Sequence, residues 1–279
     1  MATQTRRVIR QSPCFSWATV TAGLPNYSPQ YMHDKEADTM LGAYECKLLP
    51  VRIAFDTNPA IRRLLGPDLP AEVLLGFLLH FSALGIGMTE PVEGWIERAG
   101  RCCGEMGLAK LSAALIAHAR HEAGHHVMMI DDTKRLVDQW NARSSFKLDA
   151  DTLFALGPTP AVRAYQHLHE EVISGPSPYG QLAIEYEIEM LSVRIGPLLV
   201  QQCRDLLGDE ILSSMSFIDD HVKLDQGHTQ FNRRQLGHVL GVHPDFLEPL
   251  VHAGTLALHA YGDFLAECLC KGRELVEVA

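Results

Sequence analysis

The segment His221-Val222-Lys223-Leu224-Asp225-Gln226-Gly227-His228 decides how the rest of the chain is read. At 3.6 residues per helical turn, positions i, i+4 and i+7 fall within a sector of about 60°. Two imidazoles and a carboxylate therefore project the same way from one helix.

Two further segments repeat the theme. In His118-Ala-Arg-His121-Glu122-Ala-Gly-His125-His126, Glu122 and His125 are three apart and adjacent on a helical surface. In Gln181-Leu-Ala-Ile-Glu185-Tyr-Glu187-Ile-Glu189, Glu185 and Glu189 share a face, whereas Glu187 points about 200° away from each. A lone histidine on a helix is usually a satisfied core or surface residue. Carboxylate-x-x-His twice, as Glu122/His125 and Asp225/His228 with an acidic helix between them, resembles the inward-facing ligands of di-iron carboxylate bundles. Imidazole with carboxylate suits iron or manganese, and the absence of thiolates disfavours a structural zinc site. Solvated faces or core polar groups are the plain structural alternative.

His121-Glu122-Ala-Gly-His125 also matches H-E-x-x-H, in which two histidines bind zinc and the glutamate is the general base of a metallopeptidase. A metzincin continuation needs a glycine and a histidine where this chain has Met128 and Asp131. The peptidase also leaves His221, Asp225, His228 and Glu189 without a task.

Helix signals dominate around these segments. Asn58-Pro59, Thr89 before Pro91, Thr159-Pro160 and Ser177-Pro178 each set a capping side chain ahead of a proline. Helical periodicity runs over residues 70–85, 108–140, 180–207, 212–228 and 245–275, with breaks at Gly66-Pro67, Gly157-Pro158, Gly175-Pro176 and Gly208. No alternating β-branched run bounded by Asn-Gly or Asp-Gly appears, so an all-α bundle is expected. Residues 1–50 look less regular and read as an extension packed on a bundle of residues 51–279.

The 279 residues are 47% apolar, which supplies a sizeable core, and carry a formal charge of −10. That balance disfavours nucleic acid and anionic membranes as partners. The apolar stretch 74–88 is interrupted by His80 and Ser82, too short for the roughly 20 residues a bilayer needs, and reads as a buried helix. Seven cysteines without C-x-x-C suggest reduced thiols, and the N-terminal residues show no apolar signal region, so a cytoplasmic location is expected.

Three pieces together, H-x-R-H-E-x-G-H at 118–125, Ile188-Glu189-Met-Leu-Ser-Val-Arg194-Ile-Gly-Pro197 and H-x-x-x-D-x-x-H at 221–228, resemble the heme-oxygenase-like di-iron oxidases and oxygenases. The resemblance spans about residues 70–235. It implies an all-helical heme-oxygenase-like bundle holding two Fe(II) ions, with O2 as cosubstrate. Its ligands would be Glu122, His125, Glu189, His221, Asp225 and His228. Glu90, Glu185 and His118 are further candidates for a ligand or an orienting group. A ferritin-like bundle would also fit the two carboxylate-x-x-His pairs, but it has no use for His221.

The implied activity is oxidation of an amino-acid-like or carboxylic-acid metabolite, by N-oxygenation or by oxidative C–C or C–N cleavage, in specialised-metabolite biosynthesis. No catalytic residue beyond the ligands is assigned. Arg194 is the candidate receptor for a substrate carboxylate, and Tyr165, His167 and His169 occupy a helix that could line the cavity. An external electron donor and a homodimer are further expectations. The other readings are a non-oxidative enzyme on the same fold and the zinc peptidase.

Overall fold

The computed structural model describes residues 39–279, which form α-helices and short 3₁₀ turns; there is no strand among them. In chain order the helices are α1 (Met40–Asp56), α2 (Pro59–Leu64), α3 (Ala71–Thr89), α4 (Val92–Glu105), α5 (Ala109–Glu122) and α6 (His125–Arg143). They continue as α7 (Ala150–Phe154), α8 (Pro160–Ser174), α9 (Gln181–Leu207), α10 (Ser216–Val242) and α11 (Leu247–Val278).

Several ends follow the capping chemistry of the sequence. Asn58 accepts from the Ala60 amide at 2.8 Å, with Pro59 opening α2. Thr159 caps α8 ahead of Pro160. Two expected caps are absent. The Thr89 hydroxyl instead donates to the Gly85 carbonyl inside the last turn of α3, and Ser177 donates to the Tyr179 hydroxyl. Each hydroxyl donates to a nearby oxygen instead of accepting from an orphan amide.

The apolar stretch 74–88 lies in α3, which is buried on nearly every side and packs against α6 and α11. A Cβ at Gly76 would sit 2.8 Å from the Gly272 Cα, so two glycines let α3 and α11 approach backbone to backbone. Of the most apolar window starting in α3, 78% is buried, which fits the core helix expected from the sequence. Cys103, Cys203 and Cys268 are buried in the same core as small apolar residues.

At the N-terminal side, α1 runs across residue 50 with Pro50 inside it, and its Tyr44, Leu48 and Phe55 are buried. Residues 40–50 are thus part of the bundle, and the remainder of the expected extension lies outside the described residues.

The periodic stretch 108–140 is two helices. Gly124 adopts φ +84°, a left-handed conformation open to glycine and strained for other residues, and it ends α5 at Glu122 and starts α6 at His125. Asp132 on α6 then fixes the start of α10, because its carboxylate accepts from the Ser216 hydroxyl and the Phe217 amide, both at 2.8 Å. That cap holds the first turns of α10 beside the first turns of α6.

Candidate metal centre

Four helices deliver the chemistry-bearing side chains. α5 supplies His118 and Glu122, α6 supplies His125, α9 supplies Glu185 and Glu189, and α10 supplies His221, Asp225 and His228. All six residues that the resemblance implied as ligands converge in the bundle interior, and His118 joins them. Their donor atoms fall into three overlapping groups: Glu122, His125 and His221; His118, Glu122 and Glu189; Glu189, Asp225 and His228. Glu122 and Glu189 are each shared between two groups, so these are adjoining candidate cation positions with two common carboxylates.

In the first position, His125 Nδ1 lies 2.9 Å from Glu122 Oε2 and 3.2 Å from His221 Nε2. The Glu122–His125 contact spans the break at Gly124. His221 Nδ1 donates to the Phe217 carbonyl at 2.7 Å, which leaves Nε2 as the lone-pair nitrogen facing the cluster. In the second position, His228 Nδ1 lies 3.3 Å from Asp225 Oδ1, 3.4 Å from Glu122 Oε1 and 3.7 Å from Glu189 Oε1.

Asn232, one turn beyond His228, donates to Glu189 Oε2 at 2.7 Å and so directs Oε1 at the cluster. Sequence reasoning passed over Asn232, although it continues the inward face of α10. Three buried atoms here have no hydrogen-bond partner: Glu189 Oε1, His118 Nε2 and His228 Nδ1. Unsatisfied buried polar atoms are costly and rare in native interiors, and all three belong to the groups whose donor atoms lie close enough together to hold a cation.

Electrostatics agree with that reading. Burial, with Asp225 beside it, raises the Glu189 carboxyl well above the usual carboxylate range. Burial likewise pushes Glu185 up to about 8 and lowers the imidazoles of His118 and His221. Packed carboxylates repel one another, and a shared cation removes that cost.

Glu185 and Glu189 face inward and Glu187 faces away, as the helical spacing predicts. Glu185 accepts from the Gln181 side chain, whose amide lies within 3.1 Å of His169 Nδ1. Fully buried Glu187 holds Arg52 through Nε at 2.8 Å and Nη2 at 2.7 Å, and accepts from the Tyr44 hydroxyl at 2.9 Å.

The other candidates separate. Glu90 is exposed at the end of α3 and belongs to none of the three donor groups. Arg194 is ion-paired with Asp56 from α1, and it is not among the residues that line the cavity described below. Its helical position was legible, but a partner 138 residues away was not. His121 is exposed and also outside the three groups. Tyr165 lines the cavity, His169 is fully buried behind it, and His167 pairs with Glu171 at the surface.

A cavity of about 140 Å³ opens onto Glu122, Glu189, His221 and Asp225. The rest of its wall is largely apolar, with Phe81, Met88, Met129 and Phe217 prominent, and no lysine or arginine lines it. Burial and the neighbouring carboxylates hold the Tyr165 phenol well above its ordinary pKa.

No family model matches the chain, and no curated protein matches it. A solved structure from Shewanella denitrificans OS217, a domain of unknown function described as having a heme oxygenase-like fold, superposes with a TM-score of 0.68. The alignment covers 85% of this chain and 94% of that one at 20% identity. The chain has a heme oxygenase-like fold. On that heme oxygenase-like frame, the inward faces of α5, α6, α9 and α10 carry the candidate metal groups.

Proposed function

We propose that the protein is a non-heme di-iron oxidase or oxygenase acting on a small molecule with an apolar body. The convergence of three carboxylate–imidazole groups, joined through Glu122 and Glu189, carries this reading. The donor chemistry fits iron: imidazoles and carboxylates without thiolate, with Glu122 and Glu189 common to adjoining groups. Glu122, His125 and His221 would hold one ion, and Glu189, Asp225 and His228 the other. Bound iron would supply the redox chemistry by which dioxygen is activated.

The chain's own residues do the rest. His221 is held in one tautomer by the Phe217 carbonyl, and Glu189 in one orientation by Asn232. The apolar wall excludes water and receives the body of the substrate beside the carboxylates. No lysine or arginine lines the cavity and Arg194 is engaged by Asp56, so a substrate carboxylate would find positive charge only at the bound metal. Among carboxylic-acid and amine metabolites, those with an alkyl or aryl chain fit best.

The zinc peptidase fits poorly, because H-E-x-x-H requires His121 and His125 on one helical face. Here the helix breaks between them and His121 is exposed. An anaerobic ferrous titration followed by oxygen addition tests the proposal. Two iron ions per chain, and oxygen uptake accelerated by an apolar amine or acid from a substrate panel, are expected. Absence of iron binding, or ferrous iron inert to oxygen under every condition, would overturn it.

A further inference from the structure

The cluster chemistry leaves a row of aromatic side chains unused. Tyr261 and Tyr165 both line the cavity next to Glu122, Glu189 and Asp225, with ring centroids 6.1 Å apart. Tyr165 lies 6.2 Å from Trp95 in edge-on geometry, and both rings are buried. The Trp95 indole N–H donates to Glu170 Oε1 at 2.9 Å. Glu170 is about half exposed and pairs with Arg98 at 2.6 Å. The row therefore begins in the cavity and ends one ion pair from solvent.

The surroundings of Trp95 suit a residue that gives up an electron. His169 stacks on the indole with centroids 4.0 Å apart and planes within 9°. Burial drives this imidazole down to about 3, so no positive charge sits on the face of the indole at neutral pH. The Glu170 carboxylate at the indole N–H favours a developing positive charge.

We propose that Tyr165 and Trp95 form a one-electron relay between the cavity and the surface at Glu170. The proposal rests on the di-iron reading above, since that centre is the oxidant. Tyr165 gives one electron to the oxidised centre and its phenol proton to a carboxylate of the cavity. Trp95 then returns an electron to the Tyr165 phenoxyl, which recovers that proton, while the indole N–H proton is held by Glu170. A soluble one-electron reductant, ascorbate in the test, refills Trp95. The net step moves one electron inward and returns each proton to the group that gave it. Such a relay serves to reduce the centre when substrate does not supply every electron, and it drains an oxidised centre when substrate is missing.

The experiment is freeze-quench electron paramagnetic resonance on the iron-loaded, substrate-free chain after oxygen addition, with peptide mass spectrometry of the same samples. The wild type should show a tryptophan-type radical that ascorbate removes, and oxygen incorporation at Trp95 in preference to Trp140. Trp140 is an internal control: it is equally buried, but its indole N–H donates to the Phe146 carbonyl elsewhere in the fold. Trp95→Phe should convert the signal to a tyrosyl radical that outlives the wild-type signal at least ~10-fold, and Tyr165→Phe should abolish both. Iron that oxidises with the same radical yield and the same oxidised residues in all three proteins overturns the relay and leaves the di-iron reading intact. Failure to bind or oxidise iron overturns both, and is seen in the metal analysis before any radical is sought.

Discussion

Glu189 Oε1 and His118 Nε2 lie 3.0 Å apart in the interior of the bundle, in contact but without hydrogen-bond geometry. The second oxygen of Glu189 is bound by Asn232, so the carboxylate cannot swing away to find water. A cation between α5, α9 and α10 would engage both atoms at once. His118 belongs to only one of the three donor groups. That group holds Glu122 and Glu189, one from each proposed iron position, so His118→Ala should weaken iron binding by at least ~10-fold, measured by metal titration with unchanged far-ultraviolet circular dichroism. Two sites of wild-type affinity would remove His118 from the centre.

Glu122 and His121 separate the di-iron centre from a zincin. Glu122 is shared by two donor groups and His121 by none. Glu122→Gln should lower metal content and His121→Ala should leave it unchanged, as counted by plasma mass spectrometry. The reverse pattern, with metal retained in Glu122→Gln and lost in His121→Ala, is the signature of the peptidase.

Glu187, which faces away from the metal cluster, matters for stability. Removing its carboxylate leaves the Arg52 guanidinium buried with only Glu45 opposite, and breaking a buried pair in this way costs about 3–5 kcal/mol. Glu187→Ala should lower the unfolding free energy by that order in urea titrations of the metal-free protein. The double variant Arg52→Met with Glu187→Leu should recover part of the loss. A Glu187→Ala variant as stable as the wild type would show that the pair contributes nothing.

What the sequence disclosed and what it concealed divide along contact range. His221, Asp225 and His228 were legible because one unbroken helix sets their directions by spacing alone, and the same holds for Glu185 and Glu189 on α9. The break at Gly124 was not legible, since a glycine inside a periodic stretch is tolerated in helices as often as it ends them. Arg194 and Glu187 met their partners, Asp56 and Arg52, on α1. That helix carries Pro50, which made its first half look irregular. Asn232 escaped notice because an amide carries no metal-ligand signature until its carboxylate partner is known.

His169 gives the fold a definite response to acid. Its imidazole, ordinarily titrating near 6.5, is lowered to about 3 by burial. Below its ordinary value the unfolded chain binds a proton that the folded chain does not, so stability falls as pH falls through that window, by up to about 1.4 kcal/mol per pH unit. Replacement by phenylalanine should remove that slope between about pH 6 and pH 4.5 in the metal-free protein, read from urea titrations. Equal slopes in wild type and His169→Phe would show that the imidazole charges within the folded state.

Metal binding should also release protons. Without metal, burial raises the Glu189 carboxyl well above the ordinary carboxylate range, and ligation requires a deprotonated donor. Calorimetric heats of anaerobic ferrous binding at neutral pH should therefore vary with the ionisation enthalpy of the buffer, corresponding to about one proton or more released. Heats independent of buffer would mean that Glu189 is already ionised.

The most direct measurement is an anomalous-difference map at the iron edge from crystals grown anaerobically with ferrous iron. The account predicts two iron peaks per chain, one contacting Glu122, His125 and His221 and the other contacting Glu189, Asp225 and His228. A single peak, or metal bound by His121 and His125 with Glu122 and Glu189 unliganded, would contradict it.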